Sequence, residues 1–256
     1  VQFSDVLLDV GAIPLATRAA VPLALYARGV PITRSELHGF ASKNTDCFVV
    51  PGPRGSSYLS SSADALVYRS FAVADIASRE ARIAAGTNLH LRELEETRIT
   101  LRTLLRQPLT SAQLVAQLPP IALRSLGSVG QRNGALTVAA LVLKQLWACG
   151  EVMQLVGDDW MSESSVRWQL DPSPRVIPTA ADAIVPAAQI WLKSLVPVPL
   201  RVFAKAFDLS VGRAKSAFET LGSLCVTVDG VDDLFYLSDT YSLEQELDSA
   251  AQSPVH

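Results

Sequence analysis

No stretch of this 256-residue chain approaches the ~18 consecutive apolar residues that a membrane-spanning helix requires. Histidine and cysteine are scarce, three of each. Cys47, Cys149 and Cys225 stand far apart without a Cys-x-x-Cys pair, and His38, His90 and His256 are equally scattered. That spacing argues against a zinc site or a disulfide framework, and the expectation is no metal and no cofactor. It predicts buried, reduced thiols in a soluble, cytoplasmic protein. No Gly-x-x-x-x-Gly-Lys-Ser/Thr loop, no Gly-x-Gly-x-x-Gly turn and no Gly-x-Ser-x-Gly elbow occurs, which removes the P-loop, dinucleotide and hydrolase-elbow chemistries. No signal peptide is read at the start, and because the first residue is Val rather than Met, further chain is expected to precede it.

Charge is also thin. Charged residues make up 18% of the chain, below the ~25% usual for globular domains. Ala, Leu and Val fill the difference, which suits packed helices. The net charge is −3, not the basic footprint of a strong nucleic-acid binder. The distribution is uneven: Val10 to Arg106 holds twelve basic and eight acidic residues, and the chain from Gln107 holds ten and fifteen. A phosphate-facing surface should therefore draw mostly on the first half.

One layout is read three times: a helix, a tight connection, a second helix and a short hairpin. The last copy is the clearest. Ala180 to Leu195 has apolar residues at helical spacing, and Val196-Pro197-Val198-Pro199 breaks it. Leu200 to Phe207 follows, Ser210 caps Val211 to Leu221, and Gly222 stops that helix. Leu224 to Val228 and Leu234 to Leu237 then flank a polar turn as β-rich arms. The middle copy runs through Leu91 to Arg106, a helix opening at Leu109-Thr110-Ser111, Gly134 to Cys149, and arms Glu151 to Val156 and Val166 to Leu170. The first is shorter: Ala19 to Ala27, a helix capped by Thr33 and running to about Phe40, and arms Cys47 to Val50 and Ser56 to Leu59.

The fold expected is mainly α with small β-hairpins (α+β), as three tandem winged-helix units. The first spans 1–65, a connecting helical segment 66–90, the second unit 91–172, the third 178–240 and a C-terminal tail 241–256. In such a unit three helices share a small core, the hairpin covers its open side, and one helix is free to enter a major groove.

Four stretches carry a resemblance. Gly11 to Leu37 contains Arg18-Ala19-Ala20, Tyr26-Ala27-Arg28-Gly29-Val30 and Thr33-Arg34-Ser35-Glu36-Leu37. Pro53-Arg54-Gly55-Ser56-Ser57-Tyr58-Leu59 is followed by Ala63-Asp64-Ala65-Leu66. Leu141 to Trp168, with Gly150-Glu151-Val152 and Trp160, and Leu200 to Leu237 complete the set. In these the chain resembles the crosslink-repair DNA glycosylase family, tandem winged-helix proteins that excise alkylated bases. The resemblance implies double-stranded DNA, damaged or alkylated, as the partner. The family's catalytic Gln-x-Gln or Gln-x-Asp falls on Ile13-Pro14-Leu15, and its strand histidine on Tyr58. Ile13 and Leu15 can neither orient a water nor stabilise an oxocarbenium-like sugar. The expectation is a DNA-binding relative without the usual catalysis; an active glycosylase with a displaced catalytic group, and a winged-helix transcriptional regulator or protein-interaction module, remain as alternatives. Three units in one chain need no dimer, so a monomer is expected.

The DNA-binding candidates are Arg18, Arg34, Arg54, Ser56 and Tyr58 around the first unit and Arg213 and Lys215 on the last helix. Arg92, Arg98, Arg102 and Arg106 recur near every fourth residue with Glu93, Glu95 and Glu96 beside them, which reads as a salt-bridged exposed face or as a phosphate-contacting stripe. Trp147, Trp160, Trp168 and Trp191 are expected in the core, and Asp158-Asp159 and Asp232-Asp233 as solvated turn residues rather than metal ligands.

Overall fold

The computed structural model describes residues 7, 11–15, 21–26, 30, 33, 47–155, 166–195 and 197–238. Within them one strand order occurs three times: a two-residue strand pairs with the far arm of the hairpin that follows it. The first set is β1 (Ile13–Pro14), α1 (Val21–Tyr26), β2 (Cys47–Pro51) and β3 (Ser57–Ser61), in the spatial order β1-β3-β2. A 22-residue helix, α2 (Ala65–Gly86), leads away from it. The second set is α3 (Leu91–Leu104), β4 (Leu109–Thr110), α4 (Ser111–Gln117), α5 (Gly127–Arg132), α6 (Val138–Ala148), β5 (Val152–Leu155) and β6 (Arg167–Leu170), in the order β4-β6-β5. The third is α7 (Ile184–Ser194), β7 (Val198–Pro199), α8 (Leu200–Ala206), α9 (Val211–Thr220), β8 (Leu224–Thr227) and β9 (Leu234–Leu237), in the order β7-β9-β8. Every pairing is antiparallel.

Local chemistry sets the helix starts. The Thr110 hydroxyl accepts from the Gln113 N–H at 3.2 Å while Gln113 Oε1 accepts from the Thr110 N–H at 2.9 Å, a reciprocal capping box. Thr137 accepts from Ala140 N–H and Ser210 from Arg213 N–H, which fixes the entries of α6 and α9. Gly150 follows α6 at φ 74°, in the left-handed region that side chains disfavour.

The structure departs from the sequence reading in several places. The first two hairpins are not separate flaps. Val49 of β2 pairs with Gln154 of β5, which joins them edge to edge into one six-stranded sheet, β1-β3-β2-β5-β6-β4; the third set keeps its own three strands. α5 was not anticipated, because Gly127 and Gly130 depress helix propensity. Gly130 is there for space: a Cβ would lie 2.3 Å from the Ala135 carbonyl oxygen. The apolar runs also overstate helix length, since 180–183 form turns ahead of α7 and 134–137 lie ahead of α6. Cys149 and Cys225 are exposed rather than buried, one at the end of α6 and one on the outer strand β8. The helix expected after Thr33, the Asp158-Asp159 turn, Trp160 and the tail at 241–256 lie outside the described residues.

The chain divides into two compact units, Val1–Ala187 and Ala188–His256. The larger has an aliphatic core in which Leu7, Ile13, Leu25, Leu59, Ile83 and Leu141 are fully buried, with Trp147 and Trp168 edge to face at 5.3 Å beside them. The smaller is held by rings: Phe203 lies 5.3 Å from half-buried Trp191 and 4.9 Å from Phe218, which stacks on Tyr236 at 4.5 Å. Among the described residues no helix is long and apolar enough to cross a membrane.

One ion pair fastens α3. Arg124 reaches Glu93 with two hydrogen bonds, Nε to Oε1 at 2.6 Å and Nη2 to Oε2 at 2.8 Å, and Glu93 also accepts from the His90 N–H. Arg124 first, and the His90 backbone second, hold the Glu93 carboxyl below the usual carboxylate range. A carboxyl with a lowered folded-state pKa stabilises fully above its unfolded pKa and loses that contribution as pH falls through the folded value. The stability gap between wild type and Arg124→Gln, measured by urea denaturation, is therefore expected to narrow as pH is lowered from about 6 towards 3. In the same assay near neutral pH, Thr110→Ala and Ser210→Ala are each expected to cost about 1 kcal/mol, and the corresponding glycine variants only a few tenths.

Candidate nucleic-acid interface

The positions that resemblance marks lie on β1, just after it and on β3, and the sheet register fixes what they face. Ile13 pairs with Leu59 and Pro14 with Tyr58. Residues directly opposite share a face, and successive residues alternate. Ile13 and Leu59 are both completely buried, and Leu15, whose N–H donates to the Ser57 carbonyl at 2.8 Å, is 7% exposed. Tyr58 is on the other face with Pro14 and Val50, its ring 5.0 Å from Tyr68 of α2 and packed over Gly52. The apolar pair thus belongs to the core, and Tyr58 does not share its face. Burial pushes the Tyr58 hydroxyl pKa up, and the Arg54 guanidinium pulls it part of the way back.

Arg54 sits in the short turn Pro53–Gly55 between β2 and β3, exposed and with a φ of 61°. Ser56, half-buried, closes that turn through its backbone N–H to the Pro53 carbonyl. Next to the turn lies a surface that sequence reasoning missed. A Cβ on Gly55 would come within 2.8 Å of Arg79 Nη2, and one on Gly134 within 3.2 Å of Arg79 Nη1 and 3.3 Å of Lys144 Nζ. Arg79 donates to the Asn133 carbonyl, Arg82 Nε to Asn133 Oδ1 at 2.9 Å, and Lys144 to the Gly134 carbonyl. Exposed Arg132, the residue before Asn133, ends α5, and its Nε donates to the Ser128 carbonyl at 3.3 Å. Five cations (Arg54, Arg79, Arg82, Arg132 and Lys144) are thus gathered from the hairpin turn, α2, the end of α5, and α6.

Little negative charge answers them. Asp75 pairs with Arg79 at 2.9 Å, one turn earlier on α2, while Glu80 is taken up by Gln145 Nε2 at 2.6 Å. Burial lowers the Lys144 pKa, the Arg79 charge lowers it further, and Asp75 offsets part of this. Two cations are crowded together at a recess of about 30 Å³ that Trp147 also lines; its buried Nε1–H has no hydrogen-bond partner among the described residues. The signal existed in the sequence only as isolated letters: Arg79 and Arg82 share a face of α2 with Asp75, but Lys144 and Arg132 arrive from elements far along the chain.

Arg18 and Arg34 lie outside the described residues. Arg213 and Lys215 are exposed near the start of α9 in the smaller unit, where Lys215 faces Glu219 at 3.6 Å. The arginine series on α3 is largely neutralised: Arg92 pairs with Glu96, Arg98 with Glu95 and Arg102 with Glu151, which favours the salt-bridged face over a phosphate stripe. Asp232 meets Arg201 at 2.9 Å, and Asp233 accepts from the Leu234 N–H at the hairpin end.

A family model described as DNA glycosylase AlkZ-like matches residues 7–253. Among solved structures, the Streptomyces sahachiroi DNA glycosylase AlkZ superposes with a TM-score of 0.65 at 15% identity, over 99% of this chain and 67% of that one. At that identity the superposition speaks for the fold alone. A search of curated proteins returns no match. The family match runs through both hairpins, α2 and the smaller unit, and by it the chain belongs to the AlkZ-like DNA glycosylase family.

Proposed function

We propose that this protein grips double-stranded DNA through three tandem winged-helix units at 1–65, 91–172 and 178–240, and does so without the family's usual catalytic pair. The carrying observation is the five-cation surface around Asn133 and Gly134 in a chain whose net charge is −3. A phosphate is the ligand such a surface suits, because it relieves the crowding of Arg79 and Lys144 and needs no base-specific geometry. The recurring strand order supports the three-unit reading, since each short strand, hairpin and helix set has the winged-helix connectivity. Arg18, Arg34, Ser56 and Tyr58 extend the contact set around the first unit, and Arg213 and Lys215 add a second set on the third. Contacts of this kind read duplex shape or a lesion more than sequence.

Loss of the usual catalysis is supported by Ile13 and Leu15, whose buried apolar side chains offer nothing to a nucleophilic water or a developing sugar cation. Family membership favours the competing reading, an active glycosylase with its catalytic group elsewhere.

Binding to a fluorescent duplex, titrated against salt, tests the grip. Arg54→Ala, Arg82→Ala and Arg132→Ala are each expected to weaken binding irrespective of sequence and to lower the log–log salt slope by about 1. Affinity no tighter than about millimolar at low salt, or indifference to salt, would remove the proposal. Incubated with alkylated duplex DNA, the wild type is expected to yield no abasic sites above a buffer control, and release above it would establish the glycosylase reading instead.

A further inference from the structure

A second site lies in the larger unit, separate from the basic surface. Between the start of α2, β2, β5 and the segment after β6 is a cleft of about 230 Å³. Phe48, Leu66, Met153 and Ile177 give it apolar walls, and Arg69, Asp171 and the exposed Arg175 bring charge to it. Arg69 is the unusual member. It is only 5% exposed, yet among the described residues its one hydrogen bond goes from Nη1 to the main-chain oxygen of Trp147, and no ion pair joins it to Asp171 or another carboxylate. Asp171 instead accepts from the Ser173 N–H at 2.9 Å. Buried arginine is ordinarily paired, because a desolvated charge without a counter-ion is costly. Burial lowers the Arg69 pKa, and the nearby Asp171 and Cys149 raise it only in part. Gly150 lies beside both walls: a Cβ there would make ordinary contacts, 3.4 Å from Arg69 Nη1 and 3.5 Å from Ile177 Cδ1.

We propose that this cleft binds a compact organic acid, its carboxylate taken by the Arg69 guanidinium and its apolar or aromatic body held between Phe48, Met153 and Ile177. A guanidinium presents a planar fork of donors that matches a carboxylate in two parallel hydrogen bonds. Arg69 and Arg175 against Asp171 leave the cleft one positive charge, which a single carboxylate balances; a phosphate dianion would exceed it. The walls select an apolar body, and the volume, at the small end for ligand pockets, selects a short one. Arg69 is no part of the DNA surface described above, so this site stands independently of the nucleic-acid reading.

The test is calorimetric titration of the full chain, at fixed ionic strength, with sodium benzoate, sodium hexanoate, benzyl alcohol and inorganic phosphate. Benzoate and hexanoate are expected to saturate and to bind at least about tenfold more tightly than benzyl alcohol or phosphate. Ile177→Trp, at a half-buried loop position, fills the cleft and is expected to abolish benzoate binding while leaving duplex affinity unchanged. Arg69→Gln is expected to weaken benzoate at least about tenfold; should that variant not fold, the acid-against-alcohol comparison on wild type and the Ile177→Trp result decide alone. The proposal is overturned by the absence of saturation with either acid up to about 10 mM, by equal binding of the alcohol or of phosphate, or by benzoate binding that survives Ile177→Trp. None of those results bears on the salt dependence of DNA binding.

Discussion

Everything assigned to the larger unit depends on how α2 is seated. Its buried face, with Tyr68, Phe71, Ala72, Ile76 and Ile83, packs against β2, the turn after it, α5 and α6. Full burial of an Ile or Phe side chain is worth about 1.5–3 kcal/mol, so such a stripe fixes the rotation of the helix firmly. With that rotation fixed, Arg69 is carried inwards to the cleft while Asp75, Arg79 and Arg82 are carried to the charged surface. A single rod therefore sets two chemically different places, and rotating or sliding it would displace both together.

The union of β2 with β5 works with that helix. An unpaired strand presents a row of unsatisfied N–H and C=O groups, and joining the two hairpins removes such an edge from each. It also brings the turn carrying Arg54 and the helix carrying Lys144 into one frame, although they come from different repeats. The cation cluster is a product of this joining: each half contributes too few charges to stand out.

Much of the local structure was legible because short-range chemistry writes it. Thr110 and Ser210 announce helix starts, Gly150 and Gly222 announce stops, and the runs at 224–228 and 234–237 announce a hairpin. What the sequence withheld was long-range. Two-residue strands such as Val198–Pro199 have no period to detect, and Pro199 reads as a breaker although it pairs with Phe235. The pairing of Val49 with Gln154 leaves no mark in either segment. The same limit explains the site. Arg54, Ser56 and Tyr58 lie on one hairpin, where the sequence itself groups them; Arg79, Arg82, Arg132 and Lys144 are brought near it by tertiary packing, which no local pattern announces. Charge counting is equally blind, because a negative total says nothing about where twenty-two basic residues gather.

The turn between β2 and β3 has a consequence of its own. Arg54 adopts a left-handed backbone conformation, at φ 61° and ψ 22°, that glycine would occupy without strain and that costs a side-chain-bearing residue about 1–2 kcal/mol. Its neighbour Gly55 already supplies the unhindered residue there, at φ 71°. The strain would be relieved by a second glycine, so the loop tip holds an exposed positive arm at the expense of its own stability, and a more heat-resistant version of this loop would be one that reaches less far into solvent for a partner.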